Sequence, residues 1–205
     1  MYVNQDTKAV FLAHPRTASR ATVKVLEEYG FKKGVAPPFE TAHGGHHARI
    51  AEPPPDDWKV ACTVRHHFDV VVSWLFNTTW RRVGQGRTTL EEATKDFDMA
   101  HYLETYMHRT RPEYPDKNEL LPHTKYSTFI ISYSYLEKDL TDWIFECTGE
   151  LPTKLDIPII GNAPRRGIKC DDVLTDEMKA AIVDRYGAEM KQWGFLVNGK
   201  AVGYQ

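Results

Sequence analysis

KAVFLAHPRTASRATVKVLEEYG, residues 8–30, is the stretch on which the fold turns. Lys8 to Ala13 are β-prone and continuous, the pattern of a strand buried on both faces rather than an alternating edge strand. His14-Pro15 ends the ladder, because proline has no N–H to give it. From Ser19 the period changes: Ala21, Val25, Leu26 and Tyr29 recur at three- and four-residue spacing until Gly30, which predicts a helix. The unit is strand, tight turn, helix.

The same order recurs downstream. Trp58 to Val64 (WKVACTV) predicts a second buried strand, followed by Arg65-His66-His67 and an apolar helix through Val70, Val71, Trp74 and Leu75. Tyr126 to Tyr133 predicts a third strand, and Leu136 to Cys147 its helix, stopped by Gly149. Gly34 to Asp57, rich in Gly, Pro and His, reads as a loop with one short helix at His47 to Ala51. Thr88, with Glu91 three residues on, predicts a capped helix running to about Met107, and the stretch from Arg109 to Lys125 reads as irregular. Thr175 opens a last amphipathic helix with Met178, Ile182, Tyr186 and Trp193 near one stripe. Asn198-Gly199 predicts a terminal hairpin. Strands alternating with helices make this an α/β chain with a mostly parallel sheet covered on both faces. Its 205 residues are read as a single domain spanning 1–205.

A formal net charge of −2 gives no whole-molecule field to draw nucleic acid or an anionic membrane, so any anion site must be local. Cys62, Cys147 and Cys170 are odd in number and widely spaced, matching neither a disulfide framework nor paired metal ligands; a reducing compartment is expected. No apolar run approaches the roughly 20 residues of a membrane helix. The N-terminal residues show neither a basic region nor a small-residue cleavage site. A cytoplasmic protein without a membrane span is the expectation.

Two corners carry the chemistry. At the first, Arg16, Thr17, Ala18, Ser19 and Arg20 lie between a buried strand and a helix N-terminus, whose outward amides and flanking guanidiniums suit a phosphate or sulfate. The Walker lysine and its Ser/Thr are missing, which disfavours an ordinary Mg-nucleotide site. At the second, Arg65 leaves a strand and Ser73 follows eight positions later (73 − 65 = 8), about two turns into the next helix. Alone, the first corner is equally a capped helix with two surface arginines, and the second is better read as an incidental arginine and a helix-surface serine.

Together they resemble the sulfotransferase family that uses 3′-phosphoadenosine 5′-phosphosulfate (PAPS), with the similarity strongest from Lys8 to Phe76. Pro15 to Ser19 match its 5′-phosphosulfate motif, with Arg16 in place of the common lysine. Arg65, Asp69 and Ser73 match its 3′-phosphate motif, whereas His66-His67 replace the usual Asn-Pro. Tyr133-Ser134-Tyr135-Leu136 resembles its strand-end Tyr-x-x-Leu, and Asn162 with Arg165-Arg166-Gly167 its C-terminal nucleotide-binding loop.

The resemblance implies a three-layer α/β/α, P-loop NTPase-like fold and in-line transfer of a sulfuryl group from PAPS, as co-substrate, to a hydroxyl or amine on a small-molecule or glycan acceptor. No metal is implied. A basic group must meet the leaving oxygen, and a base must take the acceptor's proton. Arg16 is the candidate for the first. His47, His43 and His46 are candidates for the second, with His47 favoured because the run His47-Ala48-Arg49-Ile50 before the Arg65 strand resembles one branch of the family. The acceptor surface is expected between Val83 and Lys125, around Tyr102, Tyr106, Met107 and His108. The alternatives are a P-loop-type nucleotide kinase and a nucleic-acid-binding module using Arg81, Arg82, Arg87, Arg109 and Arg111.

Overall fold

In a computed structural model of the chain, residues 1–34, 37–42, 47–107, 118–158 and 168–204 are described. By internal contacts they fall into two units, Met1–Arg65 with Leu121–Ile160, and His66–Leu120 with Gly161–Gln205.

The first unit is built on a five-stranded sheet. Its elements in chain order are β1 (Tyr2–Asn4), β2 (Ala9–Leu12), α1 (Ser19–Glu28), β3 (Lys32–Lys33), β4 (Thr41–Ala42), β5 (Arg49–Ile50) and β6 (Lys59–Val64). After the other unit's first segment come a 3₁₀ turn (Pro122–Thr124) and β7 (Phe129–Ser132); the second unit's helices are labelled below. The strand order is β3-β1-β2-β6-β7, with β2, β6 and β7 parallel neighbours. Only β1 runs against the rest, pairing antiparallel with both β2 and β3. β1 and β3 are too short to show a period, so they are silent in the sequence.

The continuous apolar runs behave as predicted. Ala9, Phe11, Ala13, Ala61 and Ile131 pack under α1 and the later helix at 136–148, while Val10, Leu12, Val60, Cys62 and Val64 on the opposite pleat are also buried. Each large apolar side chain so buried stabilises the fold by about 2 kcal/mol.

Residues 47–51 form no helix. Thr41 pairs with Ile50 and Ala42 with Arg49 in a β4–β5 ribbon, extended by Ala51 N–H donating to the Glu40 carbonyl at 3.1 Å. Five residues ahead of a triple proline close too few helical bonds to repay nucleation, whereas β-branched Thr41 and Ile50 suit a ladder.

The second unit contains α2 (His67–Asn77), α3 (Arg81–Gly84), α4 (Leu90–Thr94), α5 (Met99–His101) and a π-helical turn (Tyr102–Met107). The helix at Leu136–Thr148, in the first unit, is α6. It is preceded by a 3₁₀ turn at Tyr133–Tyr135 and ended by Gly149 at φ 76°. The second unit closes with a 3₁₀ turn (Cys170–Asp172), α7 (Asp176–Gln192), β8 (Leu196–Val197) and β9 (Lys200–Ala201). Its core joins Phe68, Leu75 and Phe76 of α2 to Met178, Ile182, Tyr186 and Met190 of α7. Met190 takes the end of the stripe, and Trp193 is the half-buried C-cap. Asn198 (φ 50°) and Gly199 (φ 75°) make the predicted tight hairpin.

The long helix expected from Thr88 is broken. The capping box is Thr89 with Glu92, one residue later, and the helix stops at Thr94 because Lys95 turns extended and Asp96 adopts φ 58°. All three cysteines are free and buried. Burial pushes the Cys62 and Cys147 thiols up to about 12, which suits packing rather than reactivity. Among the described residues no helix is long and apolar enough to cross a membrane.

Candidate functional site

Parallel neighbours end on the same edge of a sheet. Leu12 on β2 is level with Cys62 on β6, and Val64 on β6 with Ser132 on β7. The corner at residues 14–20, Arg65 and Tyr133 therefore leave one edge on three successive strands spaced about 4.8 Å apart. In α/β sheets that carboxyl edge is where ligands bind.

The corner itself is strained. Arg16 (φ 67°) and Ala18 (φ 66°) both sit in the left-handed region, at about 1–2 kcal/mol for each L-residue. Ala18 is the N-cap of α1 and brings no side-chain cap, and the first turn has no acidic residue. The helix end thus offers its first amides, with half-buried Arg16 and exposed Arg20 adjacent in sequence, and its dipole favours an anion. Ser19 is buried at the first helical position. Thr17 is used inward: its hydroxyl donates to the His14 carbonyl at 2.9 Å and lies against the Thr63 hydroxyl. Its single proton being committed, Thr63 donates to it, and Thr17 has only its backbone N–H to offer an anion.

His47 is drawn to this corner. Its Nδ1 donates to the carbonyl of Ala13, the residue before His14, at 2.5 Å. A carbonyl only accepts, so the proton of the neutral ring is on Nδ1 and its lone pair on Nε2. Buried His123, from the 3₁₀ turn, joins the same group: its Nε2 donates to the His47 carbonyl at 3.1 Å, and its Nδ1 meets Nδ1 of buried His14 at 2.8 Å. Burial holds His123 down to about 3, so the ring is neutral and its Nδ1 accepts from His14. Neither His14 nor His123 was a sequence candidate. Buried histidines separated by 109 residues carry no joint signal until the fold pairs them.

Arg65 stacks on Tyr133, with its guanidinium carbon 4.1 Å from the ring centroid. Stacking occupies the face of the guanidinium, and the five N–H donors lie around its edge, suited to bidentate contact with a phosphate. Ser73 is half-buried on α2, in the second unit.

His66 and His67 have structural duties. His66 caps α2, its Nδ1 accepting from the Phe68 N–H at 3.1 Å, and burial holds it down to about 4. His67 is buried, with Nε2 2.6 Å from Glu189, which also accepts from the Leu120 N–H at 2.8 Å. Buried Asp69 receives the Cys170 thiol at 3.5 Å. Tyr102, expected on an acceptor surface, is buried in the second unit's core. Arg81, Arg82 and Arg87 are exposed. His43, His46, His108, Arg109, Arg111, Asn162, Arg165, Arg166 and Gly167 lie outside the described residues. Among the described residues no cluster of His, Cys, Asp or Glu could hold a metal ion.

No protein-family model matches the chain, and comparison with curated proteins and with solved structures found no match.

Proposed function

We propose that the protein is a PAPS-dependent sulfotransferase acting on a hydroxyl or amine, with a P-loop-like corner at residues 14–20 holding the 5′-phosphosulfate and Arg65 holding the 3′-phosphate. The observation that carries the proposal is the shared sheet edge, with the strained corner and the stacked Arg65 leaving adjacent parallel strands. Strain held in L-residues is found where a backbone is shaped around a ligand, and the corner has two such residues within three positions.

In the proposed reaction the acceptor oxygen forms a bond to sulfur as the bond from sulfur to the bridging phosphate oxygen breaks. The electron pair leaves with adenosine 3′,5′-bisphosphate, and the acceptor's proton passes to Nε2 of His47, the nitrogen left basic by the Ala13 bond. Arg16 and the first amides of α1 meet the growing charge on the leaving phosphate. Arg16 supplies charge rather than a proton, since a guanidinium does not deprotonate.

Thermal unfolding with ligand tests this directly. Adenosine 3′,5′-bisphosphate at 100 times its Kd stabilises the fold by about 2.7 kcal/mol, whereas Mg-ATP, lacking its lysine and Ser/Thr partners here, leaves the midpoint unmoved. A shift with Mg-ATP alone would replace the sulfotransferase with a nucleotide kinase.

A further inference from the structure

Three imidazoles close a circuit in the first unit. His47 donates from Nδ1 to the Ala13 carbonyl, His123 donates from Nε2 to the His47 carbonyl, and His14, bonded covalently to Ala13, donates from Nδ1 to Nδ1 of His123. Resting on the sulfotransferase reading, we propose that His123 is a positioning residue for the base, clamping His47 to the anion corner with its proton held on Nδ1.

A buried histidine is usually a core filler with one satisfied nitrogen. His123 departs from that pattern because its two nitrogens serve two different segments, the corner through His14 and the β4–β5 ribbon through His47. It is also held rigidly. The Ser127 hydroxyl donates to the His123 carbonyl at 2.8 Å, the Thr124 hydroxyl donates to that of Leu121 at 2.8 Å, and Pro122 precedes it in the turn.

The protonation pattern follows from the partners. With the His47 carbonyl fixing the proton of His123 on Nε2, His123 Nδ1 must accept, so His14 must donate; protonating His123 would set two N–H groups against each other. The circuit therefore has one neutral arrangement, and in it the proton of His47 faces away from the acceptor. Without His123 the backbone of His47 loses its anchor. The ring is then free to leave Ala13 and carry its proton on Nε2, where it cannot act as a base.

Nitrogen-15 NMR of the imidazoles reads this without reference to turnover. In the wild-type protein at alkaline pH, His47 is expected with its proton on Nδ1 and His123 with its proton on Nε2. In His123→Phe, which keeps an aromatic ring and removes both bonds, the His47 signals move toward a mixture of tautomers. In that variant kcat for sulfuryl transfer falls about 10- to 100-fold, as misplaced groups commonly cost, while bisphosphate affinity is unchanged. His123→Gln, whose amide N–H reaches the place of Nε2, restores most of the loss. A wild-type His47 protonated on Nε2, or a His123→Phe protein with unaltered His47 signals and turnover, would overturn the proposal. If His123→Phe does not fold, the wild-type tautomers and the Gln variant decide. If the wild type transfers no sulfuryl group, the sulfotransferase reading fails, while the tautomer shift still decides whether His123 positions His47.

Discussion

Arg65 and His47 stand at the two ends of the proposed chemistry, and their replacements separate binding from transfer. Arg65→Ala removes a charge-assisted partner worth about 1.5–3 kcal/mol, so bisphosphate Kd rises by roughly 10- to 100-fold in a calorimetric titration. His47→Ala leaves that Kd in place and lowers sulfuryl transfer by about 100- to 10,000-fold, the usual contribution of a general base. Thr17 makes a different prediction, because its hydroxyl points inward to His14 and Thr63. Thr17→Val strands the buried Thr63 hydroxyl and His14 carbonyl and costs about 1–3 kcal/mol in chemical denaturation. At this scale the placing of Arg16 and Arg65 at strand-to-helix corners was legible, because each follows a continuous buried strand. His123 was not, because its bond to His47 spans 76 residues and no local pattern announces it.

Elements were legible in proportion to their length and to the specificity of their ends. Thr175, Gly149 and Asn198-Gly199 each mark a boundary through chemistry confined to a few residues, and each lies where that chemistry predicts. The pairing of Thr41–Ala42 with Arg49–Ile50 and the break at Asp96 escaped, since two-residue strands have no period and a single left-handed aspartate leaves little trace in sequence. His66 acts at this scale as the N-cap of α2. A pH dependence follows. Burial depresses His66 to about 4 and His123 to about 3 in the folded protein, against about 6.5 when unfolded. Below that value the unfolded chain binds protons the folded one refuses, so stability is fully present above pH 6.5 and falls as pH drops toward 4. Each ring contributes a slope approaching about 1.4 kcal/mol per pH unit. His66→Asn, which can still cap α2 but does not titrate, removes one of the two contributions; urea denaturation at a series of pH values measures it.

For the molecule as a whole, the alternation of buried strands and helices was readable because residues 8–30 and 58–75 each change period at a corner. The mostly parallel sheet is the outcome. The antiparallel β1 is the exception, a three-residue strand with no helix beside it to mark it. Each unit has its own apolar core, α1 and α6 against the sheet in one, α2 with α7 in the other. The proposed donor corners, at 14–20 and at Arg65, both belong to the first. The measurement that decides the matter is a calorimetric titration of adenosine 3′,5′-bisphosphate into the wild-type protein and into Arg65→Ala. Saturable one-site binding to the wild type, markedly weakened in the variant, is the predicted result. No binding to the wild type, or equal binding to both proteins, would contradict it.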